Sequence, residues 1–275
     1  MKRTDNFFVI HNFNTVPTHL LDYCADYVIY DASDDASVRK ALRGLDCVRV
    51  SNTGHNISSY FKYIIDHYDA LPPFVAFLKG NIIGRHLSPE FFKRVYDNKY
   101  YTFLYEDREI RGRIKKDVFF LSKENEYLEI NNSWYAGTGH PTRYFNSFNR
   151  LLKFVYADPL IPEYCCFSPG ACYIVSSAQL RKNSRQFYEN LQKIISYTEG
   201  PLFPSEAHQV ERMLHIIYTS NYVVNDWMND GETFDFALAN RVEETDPPLR
   251  NYGLAYRALR KAISVQTRIL HMIDR

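Results

Sequence analysis

The chain has 275 residues, with 33 Lys and Arg against 32 Asp and Glu and a formal net charge of +1, so charge gives no reason to expect nucleic acid or a strongly acidic partner. Hydrophobic residues at 45% and charged residues at 24% fit a globular protein long enough to bury a sizeable core. The five cysteines (Cys24, Cys47, Cys165, Cys166 and Cys172) include no Cys-x-x-Cys, so neither a disulfide framework nor a zinc site is indicated, and a reducing, cytoplasmic setting is expected.

Residues 6–13 (NFFVIHNF) read as a first strand, 26–31 as a second, 47–51 as a third and 74–79 as a fourth. Short apolar strands alternating with turns and helices predict a mainly parallel sheet covered on both faces. Ser88 followed by Pro89 starts a helix over 88–98, and 100–106 (YYTFLYE) is a further strand. The charged block 106–117 reads as a solvated loop, and 117–121 with 126–130 as a hairpin. Residues 131–141 form a loop rich in Asn, Gly and aromatic residues. A helix is expected over 141–156 from Pro141. Residues 165–176 read as two strand pieces hinged at Pro169-Gly170, and helices follow over 177–198 and 205–219. Residues 221–250 read as loop, and 253–274 as a basic amphipathic helix that packs on its own domain or lies on an anionic membrane surface. The apolar run near the N-terminus is too short for a secretory signal, and no segment approaches a transmembrane span. One domain over 1–250 with a helical extension over 251–275 is the expected organisation.

Residues 51–81 carry the strongest pattern. Ile57, Tyr60, Phe61, Ile64, Ile65 and Tyr68 fall on one face of a 3.6-residue period. A Gly54-containing turn precedes this helix, and Leu71-Pro72-Pro73 ends it before FVAFL resumes as a strand. Such a strand–turn–helix–strand unit places a helix N-terminus, Lys79 and Gly80 at the carboxyl edge of the sheet, where α/β folds bind ligands. Free N–H groups and the helix dipole favour an anion there. Among the aromatics, 22 Tyr and 19 Phe suit either a ring-rich core or stacking platforms for sugars and bases.

The same stretch resembles an uncharacterised family of glycosyltransferase-like proteins. The matching positions are Asn52, Gly54, Tyr60, Ile64, Ile65, Asp66, Tyr68, Asp69, Leu71, Pro72, Phe77 and Gly80. A second patch runs from Phe167-Ser168-Pro169-Gly170-Ala171-Cys172 to Phe187-Tyr188. The match departs at His55 and Asn56, where the family has Arg and Glu, and at Lys79, where it has Gln. The resemblance implies a GT-A-like, Rossmann-type α/β fold. It further implies a nucleotide-diphosphate sugar as donor substrate, and a glycan or glycolipid acceptor.

Enzymes of that type often hold a divalent metal with an Asp-x-Asp pair at a strand end. No two aspartates here are two residues apart, and the corresponding strand end reads Leu78-Lys79-Gly80-Asn81. Lys79, helped by Arg85 and the turn at 54–56, is therefore expected to neutralise a diphosphate directly. A surface lysine at a strand end is the plain alternative. Asp31, Asp34 and Asp35 are the fallback for a metal, against a solvated turn or a helix cap. His11 and Asn12 end the first strand, where a nucleotide would touch the chain, and Asn52, His55, Asn56, Gly80 and Asn81 complete the expected binding set. An inverting transfer needs a carboxylate base. Glu206, on the apolar stripe of the 205–219 helix, is the first candidate and Glu211 the second, with helix-dipole stabilisation as the structural alternative for Glu206. Trp134 and Gly170 are candidates for acceptor or sugar contact. A non-catalytic carbohydrate- or nucleotide-binding module, or a docking subunit of a larger synthase, is the rival reading. No Gly-x-Ser-x-Gly, P-loop or Gly-x-Gly-x-x-Gly occurs, which argues against hydrolase, kinase and dehydrogenase chemistry.

Overall fold

The computed structural model describes residues 3–106, 118–121, 127–131, 140–199 and 202–241. Trp134, most of the charged block 106–117 and the expected C-terminal helix lie outside the described residues.

The molecule is α/β. Its central sheet is built from six strands: β1 (Phe7–Asn12), β2 (Tyr27–Asp31), β3 (Cys47–Arg49), β4 (Phe74–Lys79), β5 (Thr102–Phe103) and β9 (Tyr173–Ser176). They lie in the order β3-β2-β1-β4-β9-β5. The first four run parallel, while β9 pairs antiparallel with both β4 and β5. A mostly parallel sheet flanked by helices is compatible with a Rossmann-like fold. A second, antiparallel sheet joins β6 (Val118–Leu121), β7 (Tyr127–Ile130) and β8 (Tyr164–Phe167), so the expected 117–130 hairpin does form.

Alternation along the central strands divides the core in two. Val9, Val28, Tyr30, Val75, Phe77 and Tyr173 face one cluster, whereas Phe8, Ile10, Ile29, Ala76, Leu78 and Ile174 face the other. The first cluster is covered by α3 (His55–Asp66), α6 (Phe148–Val155), α8 (Arg185–Ile195) and α9 (Ser205–Thr219). The second is covered by α1 (Thr18–Leu21), α2 (Ala36–Ala41), α4 (Ile82–Arg85) and α5 (Pro89–Val95) through Leu20, Val38, Ile82 and Phe92. Tyr30, Tyr60, Tyr156, Tyr173, Tyr188 and Tyr218 are nearly solvent-free. Much of the unusual aromatic content of the described residues therefore fills the interior, at about 1.5–3 kcal/mol per large apolar side chain.

Several boundaries differ from expectation, each for an identifiable reason. The helix expected from Pro141 starts only at Phe148, capped by Ser147, because the backbone N–H groups of Arg143, Tyr144 and Phe145 turn inward to a carboxylate instead. The helix expected over 177–198 is two: α7 (Ser177–Leu180), opened by a Ser176–Gln179 capping box, and α8, capped by Ser184. Between them Asn183 donates to the Ile217 carbonyl (3.2 Å). Asp35 caps α2, a short helix that the apolar pattern does not announce. Asp230 likewise caps α10 (Gly231–Ala239), inside the stretch expected to be loop. The two strand pieces around Pro169-Gly170 belong to different sheets, so this short turn carries the chain from one sheet to the other.

Candidate functional site: a cationic cavity at the carboxyl edge

The chain passes from β1 to β2 to β3 on one side of the sheet, then returns to place β4 on the other side of β1. The carboxyl ends of β1 and β4 thus flank the topological switch point, the usual ligand position in open α/β sheets. A cavity of about 330 Å³ opens there. β1 contributes His11, with Phe13 and Thr15 just beyond it; the turn before α3 contributes Asn52, and the first residues of α3 contribute His55 and Asn56. Lys79, Gly80, Asn81 and Arg85 line it after β4, and Phe203 reaches in from the segment before α9.

Two features fix this edge. Gly80 donates to the His11 carbonyl (2.9 Å), and a Cβ at residue 80 would lie 2.5 Å from Asn12 Oδ1 and 2.6 Å from Thr15 Oγ1. Only glycine fits under those side chains without displacing them. The second feature is a pair of left-handed turns. Gly54 and His55 (φ 57° and 56°) open α3, and Gly170 and Ala171 (φ 85° and 55°) link β8 to β9. Asn56 Nδ2 donates to the Gly170 carbonyl (2.8 Å), tying one turn to the other. A non-glycine residue in this region costs about 1–2 kcal/mol, so His55 is held against a local preference by its surroundings.

The electrostatics are one-sided. Among the described residues, no carboxylate lines the cavity and none pairs with Lys79 or Arg85. Burial lowers the Lys79 pKa, Arg85 lowers it further, and Cys172 and Glu211 pull it back up. His11 accepts or donates a 2.9 Å bond with Ser59 Oγ. Burial, then Lys79, depresses its pKa to about 3. His55 lies against the Phe203 ring (centroids 3.7 Å apart) and faces His208, Nε2 to Nε2, at 3.4 Å. Burial and then His208 lower the His55 pKa to about 3. The cavity is a partly enclosed, cationic, amide-rich pocket with aromatic walls, chemically suited to an anion carrying a planar ring.

Of the expected binding set, Asn12 and Gly54 do not line the cavity. Asn12 is buried, donating to Asp31 (3.1 Å) and Ser33 (3.2 Å) while Thr15 donates to it. Gly54 is the N-cap of α3. Gly170 also lies off the cavity, where its turn is anchored by an N–H bond to Glu211 (2.7 Å). A Cβ on Gly170 would sit 2.6 Å from His86 Nε2.

Glu206 takes the core side of its expectation. Its place on the α9 stripe predicts a side chain facing the core or a cleft, and it is fully buried. One carboxylate oxygen accepts from the backbone of Arg143 (3.0 Å), Tyr144 (2.7 Å) and Phe145 (3.0 Å), and the other from Tyr197 Oη (2.7 Å). A carboxylate so enclosed serves as a local backbone clamp. Glu211 is different. Its side chain retains 18% exposure, accepts from Gly170 and from Arg212 (2.6 Å), and raises the pKa values of Lys79 and His55. Arg212 also donates to buried Glu129 (2.8 Å) and sits 4.4 Å over the Phe167 ring.

The fallback acids are each engaged by protein partners. Asp31 pairs with Arg49 (2.9 Å) and accepts from Ser33 and Asn12. Asp34 accepts from Asn14 (2.6 Å), and Asp35 caps α2. Among the described residues no group of three His, Cys, Asp or Glu converges on a metal position. Phe13, Thr15 and Phe203 line the cavity without a sequence expectation, and His208 stands behind it against His55. Phe13 carried a faint signal, an aromatic just past a strand end, whereas Phe203 and His208 arrive from remote sequence.

Comparison of the chain with protein-family models, curated proteins and solved structures returns no match. Among the described residues, no helix is long and apolar enough to cross a membrane.

Proposed function

We propose that this chain is a GT-A-like glycosyltransferase that takes a nucleotide-diphosphate sugar as donor, in the synthesis of a cell-surface polysaccharide or glycolipid. The observation that carries the reading is the cationic cavity at the switch point, where Lys79, Arg85 and the start of α3 converge. A diphosphate supplies the negative charge this pocket lacks, held by charge-assisted bonds and helix amides. The one-sided field also supports charge neutralisation by side chains rather than by a metal. Of the two carboxylates weighed as base, Glu211 is the better placed, at the Gly170 turn and within electrostatic reach of Lys79.

A non-catalytic nucleotide- or carbohydrate-binding module is the second reading, favoured by the lack of a lining carboxylate among the described residues. A thermal-shift screen of nucleotide-sugars decides whether the pocket binds at all, since a ligand of the folded state alone raises the melting temperature. Donor turnover by the wild type, lost in Glu211→Gln with binding retained, separates the enzyme from the module. If no nucleotide-sugar shifts the melting temperature, the transferase and the nucleotide-binding module both fail.

A further inference from the structure

We propose that anion binding in this cavity takes up a proton, and that the facing His55–His208 pair is where the proton goes. The inference rests on the reading of the cavity as a diphosphate site and adds its coupling to pH.

The geometry supplies the acceptor. His55 lines the cavity, while His208 stands behind it on α9. Their Nε2 atoms face each other at 3.4 Å. When both rings are neutral, one Nε2–H donates to the other Nε2. An added proton enters at the ring nitrogen of the donor that carries none, so the N–H···N bond survives and becomes charge-assisted. The pair can therefore change charge without breaking its own contact.

The surroundings explain why the pair is neutral before the ligand arrives. Burial acts first on both rings. On His55, His208 from α9, Lys79 from β4 and His11 from β1 further disfavour a positive charge; Glu211 opposes them. On His208, Arg212 and His140 act in the same direction as burial. Arg85 adds a cation at the cavity wall. Glu199, bridged through its backbone to Thr53, is exposed. A diphosphate reverses this field. At an effective dielectric of about 20, each ligand charge about 5 Å away raises proton affinity by roughly two decades. Two such charges, about four decades together, outweigh the depression from 6.5 to about 3 that keeps the rings neutral.

The test is calorimetry with UDP-glucose and GDP-mannose, whose diphosphates are diesters of constant charge between about pH 5 and 8. Titrations at about pH 6.5 in two buffers of different ionisation enthalpy report the protons exchanged. Uptake approaching one proton is expected in the wild type, with affinity rising as pH falls. In His208→Gln, binding at about pH 8 persists and the uptake is lost. Imidazole ¹⁵N shifts of the wild type provide a variant-free readout: saturation should move one ring of the pair toward the imidazolium position. Binding with no buffer dependence, or with uptake unchanged in His208→Gln, overturns the inference and leaves the diphosphate reading standing. No binding of either nucleotide-sugar at any pH overturns both.

Discussion

Two charged regions lie within the same shell around α3 and α9 and behave in opposite ways. The Glu206 carboxylate itself is fully answered: three backbone amides and a tyrosine hydroxyl donate to it. Around Lys79 the accounting is left open, with cations and amides facing a cavity that has no lining counter-charge among the described residues. The same residue classes thus produce structure where donors and acceptors match and a candidate site where they do not. Buried polar groups are normally paired, so an unbalanced, accessible set is the better marker of function.

The comparison breaks most visibly at Glu206. Glu206→Ala leaves three amides and a hydroxyl without their acceptor, and should cost about 3–5 kcal/mol of stability by urea denaturation. A variant of unchanged stability that has lost turnover would put Glu206 back among catalytic candidates. The opposite outcome is expected at Lys79. Lys79→Ala should weaken nucleotide-sugar binding by about 1.5–3 kcal/mol with little change in melting temperature, since a desolvated cation is removed. Unaltered affinity by calorimetry would take Lys79 out of the site.

Gly80→Ala tests the cavity edge just after β4. Its Cβ would press on Asn12 and Thr15, and overpacking of this kind costs about 1–3 kcal/mol. A neutral result would show that the Asn12 side chain moves aside freely.

The pH dependence sharpens the contrast further. His11, His55 and His208 have folded-state pKa values near 3 against an ordinary value of 6.5. Depressed values mean that the unfolded chain binds more protons. The stabilisation is present above pH 6.5 and is lost progressively as pH falls toward about 3. Each histidine contributes a slope of up to about 1.4 kcal/mol per pH unit in that window. A stability profile flat from pH 6.5 to 4 would contradict the burial of these rings. The smallest effect is expected from chelation: EDTA should leave nucleotide-sugar binding intact, and loss restored by Mn²⁺ would reveal a metal bound at the donor site.

Hydrophobic periodicity and strand-end chemistry made much legible before any tertiary contact was known. The 51–81 unit announced a strand, a helix and a strand, and eight residues chosen from strand ends and turns (His11, Asn52, His55, Asn56, Lys79, Gly80, Asn81 and Arg85) do line one cavity. Parallel strands carry their loops to a common edge, so local pattern and a simple topological rule suffice to bring such residues together. Glu206 could not be read that way. Its place on the helix stripe was correct, but whether that stripe met a cleft or the backbone of 143–145 depended on a segment some 60 residues distant in sequence. The same holds for His208 and Phe203, which reach His55 only because α9 packs beside α3. Local sequence determines which face of an element is apolar and where charge sits along it; the partner that face meets is set by long-range packing, and with it whether a buried charge is satisfied or left for a ligand.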